Sequence, residues 1–357
     1  MQLTVPQVYK RGKGVLDEIG SYCKSKGQRV LVIGGKTALE ITQSSVIKNL
    51  KSMGLEVMVE WYGGECTWRN INRLAKIAEK GVIQMIVGVG GGKALDTAKA
   101  VAYQIGIPII TVPTIAATCA SFTPLSIIYD DQGIYVENSD NSMCPEAVFV
   151  DPVIIVNASE KWLYSGMGDT LAKWYELRAT TTGVSHTSWT IGGYQMGRVC
   201  YDIIKEFGPE AKNAVVRKEV NDALENVLDA IFYYSGTCSI LGGDKFRGAA
   251  AHSVYMGFTK IPELHHFGHG LLVGFGNLCL LALENRPLEE IKREIQLARD
   301  CGIPTRLEDI WKFTEEEIGM VAEFALGTNG IRNMPMKISP EMLERAIRYI
   351  DKLSTNV

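Results

Sequence analysis

An N-terminal α/β domain built on a parallel sheet, followed by an all-helical C-terminal domain, is the fold class this sequence predicts. Three observations point to it. The stretch before Asp151-Pro152 alternates short apolar runs with amphipathic segments, whereas the stretch after it is periodic at helical spacing with few β-branched runs. The length, 357 residues, corresponds to two domains at roughly 150 residues each. The division is placed at 1–155 for the α/β domain and 156–357 for the helical one.

The elements follow in order. Arg29-Val30-Leu31-Val32-Ile33-Gly34-Gly35 reads as a buried strand that ends in glycines. Residues 36–53 carry apolar residues at helical spacing. Leu55 to Trp61 alternates as a second strand, and 69–80 places Ile71, Leu74, Ile77 and Ala78 on one helical face. Val82 to Val89 is a third strand, again running into glycines, followed by a helix from Ala94 to Tyr103. Pro108 to Val112 is a fourth strand. Helices are then expected over 160–182, 187–206, 210–235, 245–258, 268–285, 288–301, 315–326 and 339–354. Pro209 and Pro287 are placed in first turns, and Ser339-Pro340 reads as an N-cap before an N1 proline. Gly302-Ile303-Pro304 supplies a stop.

Composition narrows the function classes. With 46% hydrophobic and 22% charged residues the chain matches ordinary globular proteins. A formal charge of −3, from 37 basic and 40 acidic residues, offers no field for nucleic acid or anionic lipid. No window approaches the ~18 uninterrupted apolar residues of a membrane span. The eight cysteines are scattered without a C-x-x-C pair and read as reduced, cytosolic thiols, so a cytoplasmic location is expected. One count stands out: of five histidines, four lie between His252 and His269.

Two motifs carry chemistry. Gly88-Val89-Gly90-Gly91-Gly92-Lys93 joins a strand to a helix; bare glycines permit close backbone approach, and the helix N-terminus with Lys93 suits a diphosphate. A strand–helix turn in which glycine merely relieves strain is the alternative. Thr111, Thr114 and Thr118 collect after the fourth strand, and ligands of open α/β sheets gather at the carboxyl ends of strands. The histidine cluster suits a borderline-soft cation such as zinc, and two imidazoles would need a carboxylate. Asp169 in Ser165-Gly166-Met167-Gly168-Asp169-Thr170 is the candidate, read here at a helix start, where an N-cap role is the alternative.

GVGGGKALDTAKA, VPTIAATCASFTPLSIIYD, SGMGDTLAKWYE and AAAHSVYMGFTKIPELHHFGHG, in this order, resemble the glycerol dehydrogenase branch of the iron-containing alcohol dehydrogenase superfamily, over roughly residues 8–330. The resemblance implies the fold shared by dehydroquinate synthases and iron-containing alcohol dehydrogenases, with an active site in the cleft between its two domains. It implies a zinc, or another divalent ion, on Asp169, His252 and His269. It also implies an NAD or NADP site formed by Gly90, Gly91, Gly92 and Lys93, with further contacts from Gly35, Thr114, Thr118, Thr123, Leu125 and Tyr129. The iron-dependent branch has a histidine four residues after the aspartate; here Lys173 stands there, as expected for three-ligand zinc enzymes. His186, His265 and His266 receive no role.

Two positions depart from the glycerol dehydrogenase pattern. Cys119 stands where those enzymes hold the polyol hydroxyls with an aspartate, and a thiol cannot accept the same bonds. Gly35 stands where NAD-specific relatives hold the ribose with an aspartate, which leaves NADP open, and Lys36 adds a cation. The wording around Cys119 and Asp169 is closer to the hydroxycarboxylate dehydrogenases of this family. The sequence therefore predicts a metal-dependent, NAD(P)-linked oxidoreductase of a small alcohol, with 2-hydroxy and 2-oxo acids favoured and glycerol the alternative. A homo-oligomer is expected from the resemblance. A dehydroquinate synthase-like cyclase, a glycerol-1-phosphate dehydrogenase and an idle binding protein are the other readings.

Overall fold

A computed structural model describes residues 3–357, and the chain divides into two compact units, Met1–Ala158 and Ser159–Val357. The first unit contains strands β1 (Val8–Arg11), β2 (Arg29–Gly34), β3 (Glu56–Trp61), β4 (Met85–Gly90), β5 (Ile109–Pro113), β6 (Leu125–Tyr129), β7 (Tyr135–Asp140) and β8 (Ala147–Val150). Six of them form one parallel sheet in the order β1-β8-β5-β4-β2-β3, while β6 and β7 pair antiparallel as a separate hairpin.

The strand sequences show why both faces are covered. Val30 and Val32 of β2 pack with Val87, Leu16, Ile19 and Leu50 on one side. Leu31 and Ile33 pack with Ile86, Ile71, Leu74 and Val101 on the other. A strand buried on both faces loses the alternation of a half-exposed one and reads as a continuous apolar run. The chain runs from β2 outward to β3, then returns across β2 to β4 and proceeds to β5. That reversal between β2 and β4 is the topological switch at which α/β sheets open a crevice beyond their carboxyl ends. Gly34 pairs in register with Val89, and Gly90 with Pro113, so the loops after β2, β4 and β5 leave the same edge.

Several elements differ from the sequence reading. β4 begins at Met85 because the chain is still turning at Val82, whose φ is +48°. The 36–53 helix is three pieces, with a π turn at Gln43–Ile47 between Lys36–Ile41 and Lys48–Ser52. β1, β6, β7 and β8 are not foreseen; each has only four to six residues, and β1 and β7 mix polar with apolar positions.

Helix α1 (Gly92–Ile105) follows β4. The second unit is helical, and the site depends on α2 (Lys161–Thr180), α3 (Ser188–Arg217), α4 (Ala250–Phe258) and α5 (His269–Leu283). Ser339 caps the last helix before Pro340, as read. Pro209 does not start a helix: α3 runs through it for 30 residues. An interior proline costs about 3 kcal/mol. Burial of Gly208, Ala211, Ala214 and Val215 along the same face offsets that cost. The expected 210–235 helix is displaced accordingly, and the next helical run begins at Asp222. Among the described residues no helix is long and apolar enough to cross a membrane, and none of the eight cysteines forms a disulfide.

Candidate functional site

Asp169 is not at a helix start. It lies in the middle of the twenty-residue α2, 3% exposed, so an N-cap role is ruled out by its place. The flanking glycine serves a helix crossing. A Cβ on Gly168 would lie 2.1 Å from the Gly270 carbonyl oxygen, and one on Gly270 only 1.8 Å from that of Ser165. The two backbones therefore touch, and Gly270 N donates to Ser165 Oγ at 2.9 Å. This contact carries His269, the first residue of α5, onto the Asp169 turn of α2.

His252 reaches the same carboxylate from α4. Its Nε2 is 3.3 Å from Asp169 Oδ1, and that of His269 is 3.7 Å away. One ligand atom from each of the three residues lies within 4.8 Å of the others, and no other such group occurs among the described residues. The rings of His252 and His269 have centroids 5.5 Å apart, and Tyr255 stands edge-on to His269 at 4.2 Å.

Two charged residues absent from the sequence-derived site complete the cluster. Glu176 is fully buried and accepts from the backbone N of Ala249 and of His252 at 2.8 and 2.9 Å. Its second oxygen is 2.6 Å from His252 Nδ1 and accepts the Nδ1–H, which fixes the ring so that Nε2 faces Asp169. Lys173 Nζ is 2.9 Å from Asp169 Oδ1 inside the protein. Asp169, Lys173 and Glu176 follow one helical face at i, i+4 and i+7; that spacing was the available signal for Glu176.

The charges set the protonation of the group. Burial works to raise the Asp169 pKa, but Lys173 and the two imidazoles hold it well below the usual carboxylate range. Burial also works to lower that of His252, yet Glu176 and Asp169 raise it to about 9. His269 goes down, because burial outweighs Asp169. A cation bound here displaces the His252 Nε2 proton, so loading is coupled to proton release.

His265 Nε2 sits 2.9 Å from the Thr259 carbonyl, and neither it nor His266 belongs to the group. His186 lies in the loop before α3.

The glycine loop of the first unit places Gly90 at the end of β4 with φ +143°, Gly91 as the N-cap of α1, and Gly92 as its first residue. A Cβ on Gly91 would lie 2.6 Å from Ile115 Cδ1, and one on Gly92 would lie 3.3 Å from Thr118 Oγ1. Thr114 N donates to the Gly90 carbonyl at 3.0 Å. Gly90, Gly91, Gly92, Thr114 and Thr118 are thus one surface, with the open N–H groups of a fourteen-residue helix. Lys93 turns aside: its Nζ pairs with Glu65 and stands over the Tyr129 ring at 5.0 Å. Thr123 and Leu125 hold the hairpin side of this region, their carbonyls accepting from the buried Lys99. Cys119 opens a short 3-10 turn capped by Thr118. Gly35 caps the helix after β2 and lies beside Gly90.

Comparison with known proteins identifies the family. The model of the family "Iron-containing alcohol dehydrogenase" matches residues 6–152. A glycerol dehydrogenase of Escherichia coli is 38% identical over 97% of this chain and 95% of its own. Hydroxycarboxylate dehydrogenase A of E. coli is 32% identical over 90% and 89%. The crystal structure of a probable glycerol dehydrogenase from Sinorhizobium meliloti superposes with a TM-score of 0.90 at 32% identity, covering 100% of this chain and 99% of that one. The chain belongs to the iron-containing alcohol dehydrogenase family, and it is a glycerol dehydrogenase-like oxidoreductase.

Proposed function

We propose that this member of the family is a zinc-dependent, NAD(P)-linked dehydrogenase of small polyols of the glycerol type. The observation that carries the reading is the convergence of Asp169, His252 and His269 in a chain that aligns end to end with glycerol dehydrogenases. The donor set fits the metal: one carboxylate and two imidazoles leave a position open, the pattern of a catalytic zinc. The glycine turn fits a dinucleotide through the unbonded N–H groups at the start of α1, which follow the N-cap Gly91.

When bound, the dication supplies the Lewis acidity that favours ionisation of an alcohol hydroxyl, and the nicotinamide supplies the two-electron acceptor. This chain's residues do the rest. Glu176 holds the His252 tautomer and orientation, and the crossing at Gly168 and Gly270 fixes His269. The N–H groups at the start of α1 would hold the pyrophosphate.

A matrix of glycerol, 1,2-propanediol, 2-oxobutanoate and 2-oxoglutarate against both cofactors tests the reading. Glycerol with net NAD(P)H formation, loss of rate on chelation and recovery with zinc are the expected results. A cofactor that shows no net conversion would reject the dehydrogenase in favour of a synthase.

A second substrate reading, reduction of 2-oxo acids, is favoured by Cys119, which replaces the carboxylate expected to accept the polyol hydroxyls. Loss of that charge also removes a repulsion against an anionic substrate.

Gly35 supports acceptance of NADP. Its φ of −71° requires no glycine, and an added Cβ would make only ordinary contacts, 3.7 Å from Tyr62 Cε1 and 4.0 Å from Ala38 Cβ. The bare position is therefore a chemical choice. Lys36 Nζ stands 4.8 Å from the Trp61 ring, and Arg73 bonds the Trp61 carbonyl at 2.7 Å, so two cations lie around the end of β3. Gly35→Asp is expected to lower kcat/KM for NADP relative to NAD by roughly 10²-fold, since like charges brought together cost several kcal/mol. An unchanged cofactor ratio in steady-state assays rejects the assignment.

A further inference from the structure

We infer that Glu65 is an affinity-setting residue of the dinucleotide site: it neutralises Lys93 and so keeps the protein from holding the cofactor phosphates too tightly to release them. The inference rests on the cofactor reading above and adds a residue from outside the glycine turn.

Lys93 is the second residue of α1, directly after Gly91 and Gly92. Its Nζ pairs with Glu65 Oε2 and stands 5.0 Å from the centre of the Tyr129 ring. Glu65 Oε1 accepts from the backbone N of Cys66 at 3.0 Å. Both carboxylate oxygens are thus committed, one to the chain and one to Lys93.

An ion pair near the surface is usually worth little, because two long side chains must be ordered to make it. Here the backbone has already ordered the acid. Gly63 and Gly64 have φ of +113° and +95°, a left-handed turn that bends the chain straight after β3. Asn70 Nδ2 donates to the Glu65 carbonyl at 2.9 Å. The Cys66 carbonyl accepts from Tyr129 N at 2.9 Å, which sews this turn to β6. The Glu65 side chain is 20% exposed against 38% for Lys93. The acid is the fixed partner, and the ammonium is drawn to it.

The result is a charge balance beside a helix N-terminus. The open N–H groups of α1 favour a phosphate, and an uncompensated lysine beside them would add a full positive charge. Because Lys93 adjoins the turn in the chain, its charge acts on an anion held there from within about one screening length, ~8–10 Å. Glu65 cancels that charge. A nicotinamide dinucleotide must leave after each hydride transfer, and in many enzymes release, not chemistry, sets the rate. A neutralised lysine serves turnover where a bare one would trap the cofactor.

The zinc-loaded wild type, Glu65→Gln, Lys93→Met and the double variant are titrated calorimetrically with NADH, NADPH and inorganic pyrophosphate, none of which requires turnover. Glutamine keeps the length and the acceptor for Cys66 N while removing the charge, and melting curves verify the fold. The expected order follows net charge. The dinucleotide binds about tenfold tighter to Glu65→Gln, about tenfold weaker to Lys93→Met, and within about threefold of wild type to the double variant. Pyrophosphate follows the same order, and added salt narrows the differences. Binding that is unchanged or weaker in Glu65→Gln, or a double variant that keeps the full effect of either single change, overturns the assignment. If the wild type binds neither dinucleotide, the cofactor reading fails by itself, and the pyrophosphate series still decides for or against Glu65.

Discussion

Asp169→Asn is expected to abolish the metal centre and to lower kcat/KM by on the order of 10³-fold or more. A Lewis-acid cation contributes several kcal/mol of transition-state stabilisation, and each 1.36 kcal/mol is tenfold in rate. Asp169 is the only carboxylate in the group, and both imidazoles and Lys173 converge on its Oδ1. An amide oxygen is a weak ligand, and the variant loses the charge that makes a dication welcome. The same substitution removes the charge from the buried Lys173–Asp169 pair, and removing one partner of a buried pair costs about 3–5 kcal/mol. The variant should therefore lose both zinc and thermal stability, whereas a chelator acting on the wild type should remove activity with Lys173 still paired. Metal analysis, steady-state kinetics and melting curves separate the two effects. A variant that retains stoichiometric zinc and a rate within tenfold of wild type would show that Asp169 is not a ligand.

Much of this site was legible because its chemistry is carried by rare residues at distinct places. His252 and His269 stand out in a chain with few histidines, and an extended run of small residues before His252 marks its helix. The placement of Asp169 was misread for a physical reason. Gly166 and Gly168 resemble the loop that precedes an N-cap, but the glycine contact here is made between helices, and no local sequence rule tells a loop glycine from a crossing glycine. Glu176 was missed because glutamate is ordinarily a surface residue in a helix. Its role arises only when α4 docks and supplies two backbone N–H donors. Lys93 was read as a charge suited to a diphosphate, but its Nζ pairs with Glu65 from the loop after β3, a contact fixed by the sheet order and invisible along the chain. The central strands were legible because burial on two faces leaves an unbroken apolar run. The short strands β1 and β8 were not, because four residues carry too little pattern, whether at the sheet's edge as in β1 or inside it as in β8.

Gly270→Ala tests the crossing that assembles the centre, and its expected effect on stability is the largest of any single methyl addition in the second unit. The added Cβ would lie 1.8 Å from the Ser165 carbonyl oxygen, 2.7 Å from its carbon and 3.0 Å from Asp169 N. These are backbone atoms in the middle of α2, so no side chain can turn away to relieve the overlap. The helices must separate by more than an ångström. That motion breaks the close packing of Gly168 against Gly270 and Gly274. Overpacking typically costs about 1–3 kcal/mol where side chains can adjust. With two rigid backbones in contact, a cost above about 4 kcal/mol is expected, the range reserved for severe core defects. For a unit of this size each kcal/mol corresponds to roughly 2–4 °C in Tm, so a fall of about 10 °C or more should be seen by differential scanning calorimetry. Function should suffer beyond stability, because Gly270 directly follows His269, and separating α5 from α2 draws the His269 ring away from Asp169. Zinc affinity should therefore fall even at temperatures where the variant is fully folded. Gly319→Ala, in a helix of the same unit where an added Cβ would meet nothing nearer than Glu344 Oε1 at 3.6 Å, is the matched control and should leave Tm and zinc binding near wild type. A Gly270→Ala protein that melts with the control and keeps its zinc would mean that the two helices do not cross at this contact.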